Sequence, residues 1–455
     1  MRDSAGLFGI AGHRQAADLT YVALHAMQRR GEHTAGMVVS DGDVMRVVRG
    51  SGTVAEAFRG EHLAALRGTL ALGQISRSPD RGDLGLSVPD APVTLRYRGG
   101  RLAVAMVGGL ANGAKLRAEA MAKGVGFATM LDSELIARLI AGSDKKTFVN
   151  RMVDALWAVD PAFCLAVCTE DLLVAVRGPV GIRPLMAGQI DGAPVISSDE
   201  AALRFIGAAG VRSVEPGEMV IMGRGRVQSV RPFPRRHAAR CAMELVALAQ
   251  PNSSAFGRAA YEVRYLLGQH LARRYPAAGA DVVVAAGTDA EPAAAGFGSV
   301  SGVEVRSGLV AREHTGAIVE PPRGLEDFVG KLTHAVVPSV VTDRRVVLVA
   351  NTLFTGQDLR LTVRRLRHAG ATEVHVRVAS PLPTAACIYG VAIPPASDRV
   401  DAADRPIAER LGADSVELVS ARAVREAAGG GRWCDACLTG QYPVKQLDPP
   451  QLDLF

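Results

Sequence analysis

The 455-residue chain has no run of 18 apolar residues, no low-complexity tract and no block of like charge. The first absence excludes a membrane-spanning helix. The apolar part of the opening MRDSAGLFGIAGH is also too short for a signal peptide. A net charge of +6 comes from dispersed arginines, densest at Arg235-Arg236 and Arg364-Arg365-Arg367. No aromatic residues interleave with those arginines, so they are solvated helical faces rather than a nucleic-acid surface. Cysteine is scarce as well: six in a chain of this length do not make a disulfide framework. A cytoplasmic protein without membrane or nucleic-acid partners is expected.

What is present falls into two halves. Residues 5 to about 230 contain short strand patterns such as GLFGIAG, AGMVVSDG, LAVAMVGG, FCLAVCTEDLLVAVRG and GEMVIMGRGRVQSV. DLTYVALHAMQRRG and SELIARLIAG interrupt them with apolar residues at helical spacing. Antiparallel sheets packed between helices follow. From about residue 255 helix and strand alternate: YEVRYLLGQHLARRY, ADVVVAAG, RRVVLVAN, LTVRRLRHAG, TEVHVRVASP. That rhythm predicts a mostly parallel sheet with helices on its faces. Ligands bind such sheets beyond the carboxyl ends of the strands, where AAGTDAE and ANTLFTGQD fall. RVVLVANTLFTGQDLR has the strand, glycine-containing loop and helix of a phosphate cradle.

GLFGIAGH, LTYVALHAMQRRGEHTAGMVVSDG, GIRPL at 181–185, VEPGEM at 214–219, AGATEVHV at 369–376 and CLTGQYP at 437–443 together carry a resemblance. From about residue 5 to about 445 the chain resembles glutamine phosphoribosylpyrophosphate amidotransferase. The resemblance implies an α+β, Ntn-hydrolase-like, four-layer glutaminase domain over 5–235. It also implies an α/β, type I phosphoribosyltransferase-like parallel-sheet domain over 236–445.

At the positions that carry the family's chemistry the residues differ. The glutaminase nucleophile is an N-terminal cysteine, and here that position is Ala5, which offers no thiolate. The arginine that grips the glutamine carboxylate is replaced by Ser76, with Arg77 one place late and on the other side of a strand. The oxyanion run reads Met106-Val107-Gly108-Gly109, and loss of one such donor costs roughly 10²–10³ in rate. Asp132 matches the aspartate that receives the glutamine amino group. In the second half the two carboxylates that serve ribose hydroxyls and magnesium are replaced by Ala350 and Asn351. Thr352 and Gly356 keep the turn and remain candidate ligand-binding positions, while Asp358 sets a negative charge against a phosphate. Arg312 is the one match in the covering loop, and Asp289 and Glu291 are carboxylates of the upstream loop.

Four cysteines match the ligands of a [4Fe–4S] cluster in one branch of the family: Cys241 in RCAMEL, Cys387 in PTAACIYG, and Cys434 with Cys437 in WCDACLTG. Zinc is the alternative for four thiolates. Cys164 and Cys168 fit an apolar strand. Taken together, these residues predict a pseudoenzyme acting by binding or assembly, as a homo-oligomer or with a protein partner. Two alternatives are a fold reused on a nucleotide-like or amine substrate, with Asn351, Asp358, Asp289, His314 or His334 near the strand ends, and an ammonia-dependent amidophosphoribosyltransferase.

Overall fold

Strand β1 (Ala5–Ala11) shows how the first half folds, because all seven of its residues are buried. Leu7 and Ala11 point into one apolar cluster, and Phe8 and Ile10 into another. A strand buried on both faces must be apolar at every position, which explains the continuous GLFGI. The structure, a computed structural model, describes residues 5–76, 91–223, 225–234, 236–311, 334–391, 393–394, 396–400 and 405–444.

By its contacts the chain divides into two units. The first holds the described residues up to Arg240, with those of Cys387–Ala392 and Tyr442–Phe455. Its seven-stranded antiparallel sheet runs in the order Ala209–Ser213, Met186–Ile190, Ala193–Ser197, β1, β2 (Leu70–Ser76), Thr34–Ser40, Met45–Ser51. A six-stranded antiparallel sheet has β3 (Gly100–Leu110) one place in from its edge. Ala103, Ala105 and Val107 of β3 pack with Leu7 and Leu72 between the sheets. Helix α1 (Ala16–Ala26) covers the outer face of the larger sheet through Ala23 and Leu24. Helices α2 (Asp132–Gly142) and α3 (Phe148–Trp157) cover the outer face of the smaller through Leu135, Ile136 and Met152. This is the expected four-layer arrangement.

The second unit holds the described residues of Cys241–Ala386 and Ile393–Gln441. Its sheet is parallel, in the order β4 (Val282–Ala285), β5 (Arg345–Ala350), β6 (Glu373–Val378), β7 (Ser415–Leu418). Central β5 buries Val346 through Ala350, whereas β6 alternates Val374, Val376 and Val378 with Glu373, His375 and Arg377. Helices α4 (Ala260–Arg274) and α5 (Glu291–Ser301) approach so closely that a methyl at Gly268 would overlap the Ala293 carbonyl oxygen. One at Gly296 would likewise overlap the Tyr265 carbonyl. Backbone cannot yield there as a flexible side chain would. Gly268→Ala is therefore expected to destabilise the protein by about 1–3 kcal/mol in denaturant unfolding, and a change below about 0.5 kcal/mol would show that the helices separate freely.

Candidate active sites

In the first unit the candidate residues gather where β1 starts. Ala5 is buried and pairs with Ser76, the last residue of β2. The Ser76 hydroxyl is buried without a protein partner. Gly31 lies so close that a Cβ there would stand 2.5 Å from the Ser76 nitrogen. Next to it Arg30 donates to Asp199 at 2.6 Å, with both side chains almost wholly buried. The sheets are tied together by Gln74, whose amide accepts from Met106 N–H at 3.0 Å and donates to its carbonyl at 3.2 Å.

Two residues beyond Met106, Gly108 adopts φ 112°, and a Cβ would drive into the Ala162 carbonyl. The segment around Tyr389 returns to this strand. A Cβ on Gly390 would lie 2.7 Å from the Gly108 Cα, and the buried Tyr389 hydroxyl accepts from Val444 N–H at 2.9 Å. Asp132, at the start of α2, accepts from Leu110 N–H at 2.8 Å and so fixes the end of β3. Arg77 lies outside the described residues.

In the second unit β5 ends at Ala350 and its loop reaches α6 (Gln357–His368) through Gly356, a left-handed cap with φ 78°. A side chain at position 356 would meet Val400 at 2.8 Å. The backbone N–H groups of Thr352 to Gly356 donate to no described group, while the Phe354 carbonyl is held by Val400 N–H at 2.7 Å. Asn351 is buried, and its amide donates to the Val246 carbonyl at 2.5 Å. Asp289, past the end of β4, stands 3.4 Å from the fully buried Arg264. Glu291 and Asp358 are exposed. Arg312, His314 and the side chain of His334 lie outside the described residues.

Cys241 and Cys434 lie on paired two-residue strands, and Cys437 on the short helix Ala436–Thr439. All three are buried. Cys387 is half-buried, and its sulfur accepts from the N–H groups of Tyr389 at 3.3 Å and Val391 at 3.4 Å. Among the described residues no group of three or more His, Cys, Asp or Glu could hold a metal ion. Cys164 and Cys168 are fully buried, and burial pushes the Cys168 thiol up to about 12.

A glutamine amidotransferase domain model matches residues 90–204. The amidophosphoribosyltransferase 2, chloroplastic, of Arabidopsis thaliana is 37% identical over 98% of this chain and 80% of its own length. The Rhizobium etli amidophosphoribosyltransferase is 33% identical over 98% of this chain and 93% of its own. The chain belongs to the amidophosphoribosyltransferase family. A glutamine phosphoribosylpyrophosphate amidotransferase from B. subtilis, solved with ADP and GMP, superposes with a TM-score of 0.89 at 30% identity, covering 97% of this chain and 98% of that one.

Family membership over the whole chain corrects the expectation of a pseudoenzyme. Relatives 33–37% identical along nearly its full length are named amidophosphoribosyltransferases. The expectation recognised the shape of a phosphate cradle in RVVLVANTLFTGQDLR but set the side chains at Ala5, Ser76, Val107, Gly108, Ala350 and Asn351 above the loop's backbone donors. Among the described residues no helix is long and apolar enough to cross a membrane. Gln74, Arg30 with Asp199, Arg264 and Tyr389 were missed by sequence reasoning. Gln74 alone left a signal, as a polar residue inside the apolar run ALGQIS.

The turn leading into Asp132 is built on Glu134, which accepts from Ala128 N–H at 2.9 Å, Thr129 N–H at 2.7 Å and the Thr129 hydroxyl at 2.8 Å. Burial raises this carboxyl, but those donors and Arg138 outweigh it and hold it below its ordinary value. The stabilisation is thus present above the ordinary carboxylate range and lost as pH falls through the lowered value. Glu134→Gln should destabilise the protein near neutral pH, and the gap from wild type should shrink between about pH 6 and about pH 3. A gap independent of pH in urea unfolding would rule out the carboxylate's charge as the cause.

Proposed function

We propose that the chain catalyses amidophosphoribosyl transfer. The nitrogen of ammonia forms a bond to C1 of phosphoribosylpyrophosphate, the C1–O bond to diphosphate breaks with its electron pair, the surplus proton on nitrogen passes to water, and phosphoribosylamine and diphosphate leave. The observation that carries this reading is the β5–α6 loop. Five successive N–H groups, from Thr352 to Gly356, have no acceptor among the described residues and precede a 12-residue helix, and such a terminus attracts phosphate. Whole-chain kinship with amidophosphoribosyltransferases supports the reaction itself. The residue at position 5 carries no thiol, so the proposal is made for the transfer step with ammonia as acceptor.

The β5–α6 loop has a task in that step. The loop N–H groups orient the 5-phosphate, and Gly356 supplies the left-handed turn that points them together. Diphosphate release from phosphoribosylpyrophosphate, measured with ammonium and separately with glutamine, tests the reading. Ammonium-dependent release is expected, falling at least about tenfold in Gly356→Val, because a branched side chain is strained at φ 78° and meets Val400. No release above a heat-inactivated control with either nitrogen donor would reject it.

We also infer a [4Fe–4S] cluster on Cys241, Cys387, Cys434 and Cys437. The donor set supports it, as do the two N–H groups aimed at the Cys387 sulfur, a common way of stabilising cluster thiolates. With four protein thiolates the group would supply structural cross-linking rather than an open iron. Anaerobically purified protein should be brown with about four irons per chain, and Cys434→Ser should lose iron and lower the melting temperature. Stoichiometric zinc without iron would overturn the assignment.

A further inference from the structure

The strand end that precedes the loop holds an acceptor with nothing to accept. Asn351 Nδ2 donates to the Val246 carbonyl at 2.5 Å. Only the NH₂ end of an amide can meet a carbonyl oxygen, so this bond fixes which end of the side chain is which. The other end, Oδ1, is buried without a partner on a residue only 9% exposed. The anchor is itself rigid. In the turn Glu244–Leu248 and just past it, the Leu245 and Ala249 carbonyls accept from the fully buried Arg264 at 3.1 and 2.5 Å. Asn351 therefore cannot rotate to satisfy its oxygen without freeing Val246. A second buried oxygen without a protein partner, Ser380 Oγ, sits just past the neighbouring strand β6, where Ala379 N–H binds the Ala350 carbonyl at 2.8 Å.

We propose that Asn351 reads a sugar hydroxyl through this neutral oxygen, and that sugar-phosphate binding at the loop consequently needs no divalent cation. The inference deepens the phosphoribosyl reading and rests on it. An orphaned buried acceptor calls for a donor, and the donor of a sugar phosphate held by the N–H groups of residues 352–356 is a hydroxyl. Magnesium, by contrast, asks for charged oxygens in octahedral array and gives up its waters reluctantly. Positions 350 and 351 give it none, since Ala350 is apolar and buried and Asn351 is uncharged. Asp289, past the end of the adjacent strand β4, already faces the Arg264 guanidinium.

Calorimetric titration of the full chain with ribose 5-phosphate and with inorganic phosphate, each in magnesium and in chelator, tests this. Ribose 5-phosphate should bind more tightly than phosphate, with affinities in the two buffers agreeing within about twofold. Asn351→Ala should weaken ribose 5-phosphate about tenfold and leave phosphate unchanged. Asn351→Asp, of equal size, should make ribose 5-phosphate binding depend on magnesium, and melting curves identify any variant that is unfolded. Wild-type binding that requires magnesium, or an unchanged preference for ribose 5-phosphate in Asn351→Ala, overturns the role of Asn351 while phosphate binding keeps the loop. Failure of the wild type to bind either ligand rejects the phosphoribosyl reading and this inference with it.

Discussion

Double-sided burial of the central strands governs everything else in both units. Leu7, Phe8 and Ile10 of β1, like Val346 to Val349 of β5, are wholly removed from water on both faces of their sheets. A polar group placed among such residues loses its hydration and must find a specific partner, at a cost of about 1–3 kcal/mol when it does not. Several polar side chains enter as ties. Gln74 spends both ends of its amide on Met106, joining strands of the two sheets. Arg177 gives its guanidinium to the carbonyls of Gly181, Arg183 and Val214, although burial pushes it down to about 10. Arg30 and Asp199 neutralise one another. Against this background an unsatisfied buried atom is informative, and Ser76, Asn351 and Ser380 supply three at strand ends.

The same constraint explains how much of the molecule was legible in the sequence. Strands buried on both faces read as unbroken apolar runs, and half-exposed helices such as α6 carry apolar residues at helical spacing. The antiparallel sheets packed between helices and the parallel sheet therefore follow from GLFGIAG, LAVAMVGG, RRVVLVAN and LTVRRLRHAG, whereas the four-layer order comes only through the family resemblance. Tertiary returns leave no such periodicity. Nothing local in AACIYGVA says that Gly390 lies on Gly108 or that Tyr389 binds Val444. Arg264 looks like any helical arginine in EVRYLLG, yet it is fully buried and holds a turn some fifteen residues away.

The functional misreading has a different physical origin. Side-chain identity is what a sequence displays, and Ala5 and Ala350 display neither a thiol nor a carboxylate. Phosphate recognition at a strand–loop–helix junction is made by backbone N–H groups, which every residue except proline carries. A loop can exchange most of its side chains and keep that capacity, provided one glycine holds the left-handed turn, as Gly356 does here. Thiolate chemistry has no such backbone substitute, and Ala5 supplies none.

The proposed phosphate site at the β5–α6 loop carries no carboxylate at positions 350 and 351, and that has an electrostatic consequence of definite direction. Two unit charges about 4 Å apart interact by about 1 kcal/mol in bulk water and by about 4 kcal/mol at an effective dielectric of 20. A buried acidic pair at positions 350 and 351 would repel a sugar diphosphate toward the upper figure, and a cation would be needed to offset it. Ala350 and Asn351 remove that repulsion where screening is weakest. Asp358 is solvent-exposed on the first turn of α6, so its repulsion falls toward the lower figure and is screened further by salt. With Ala350 apolar and Asn351 uncharged at the buried end of β5, and Asp358 in water, an anionic ligand held by backbone dipoles meets little repulsion from these three positions.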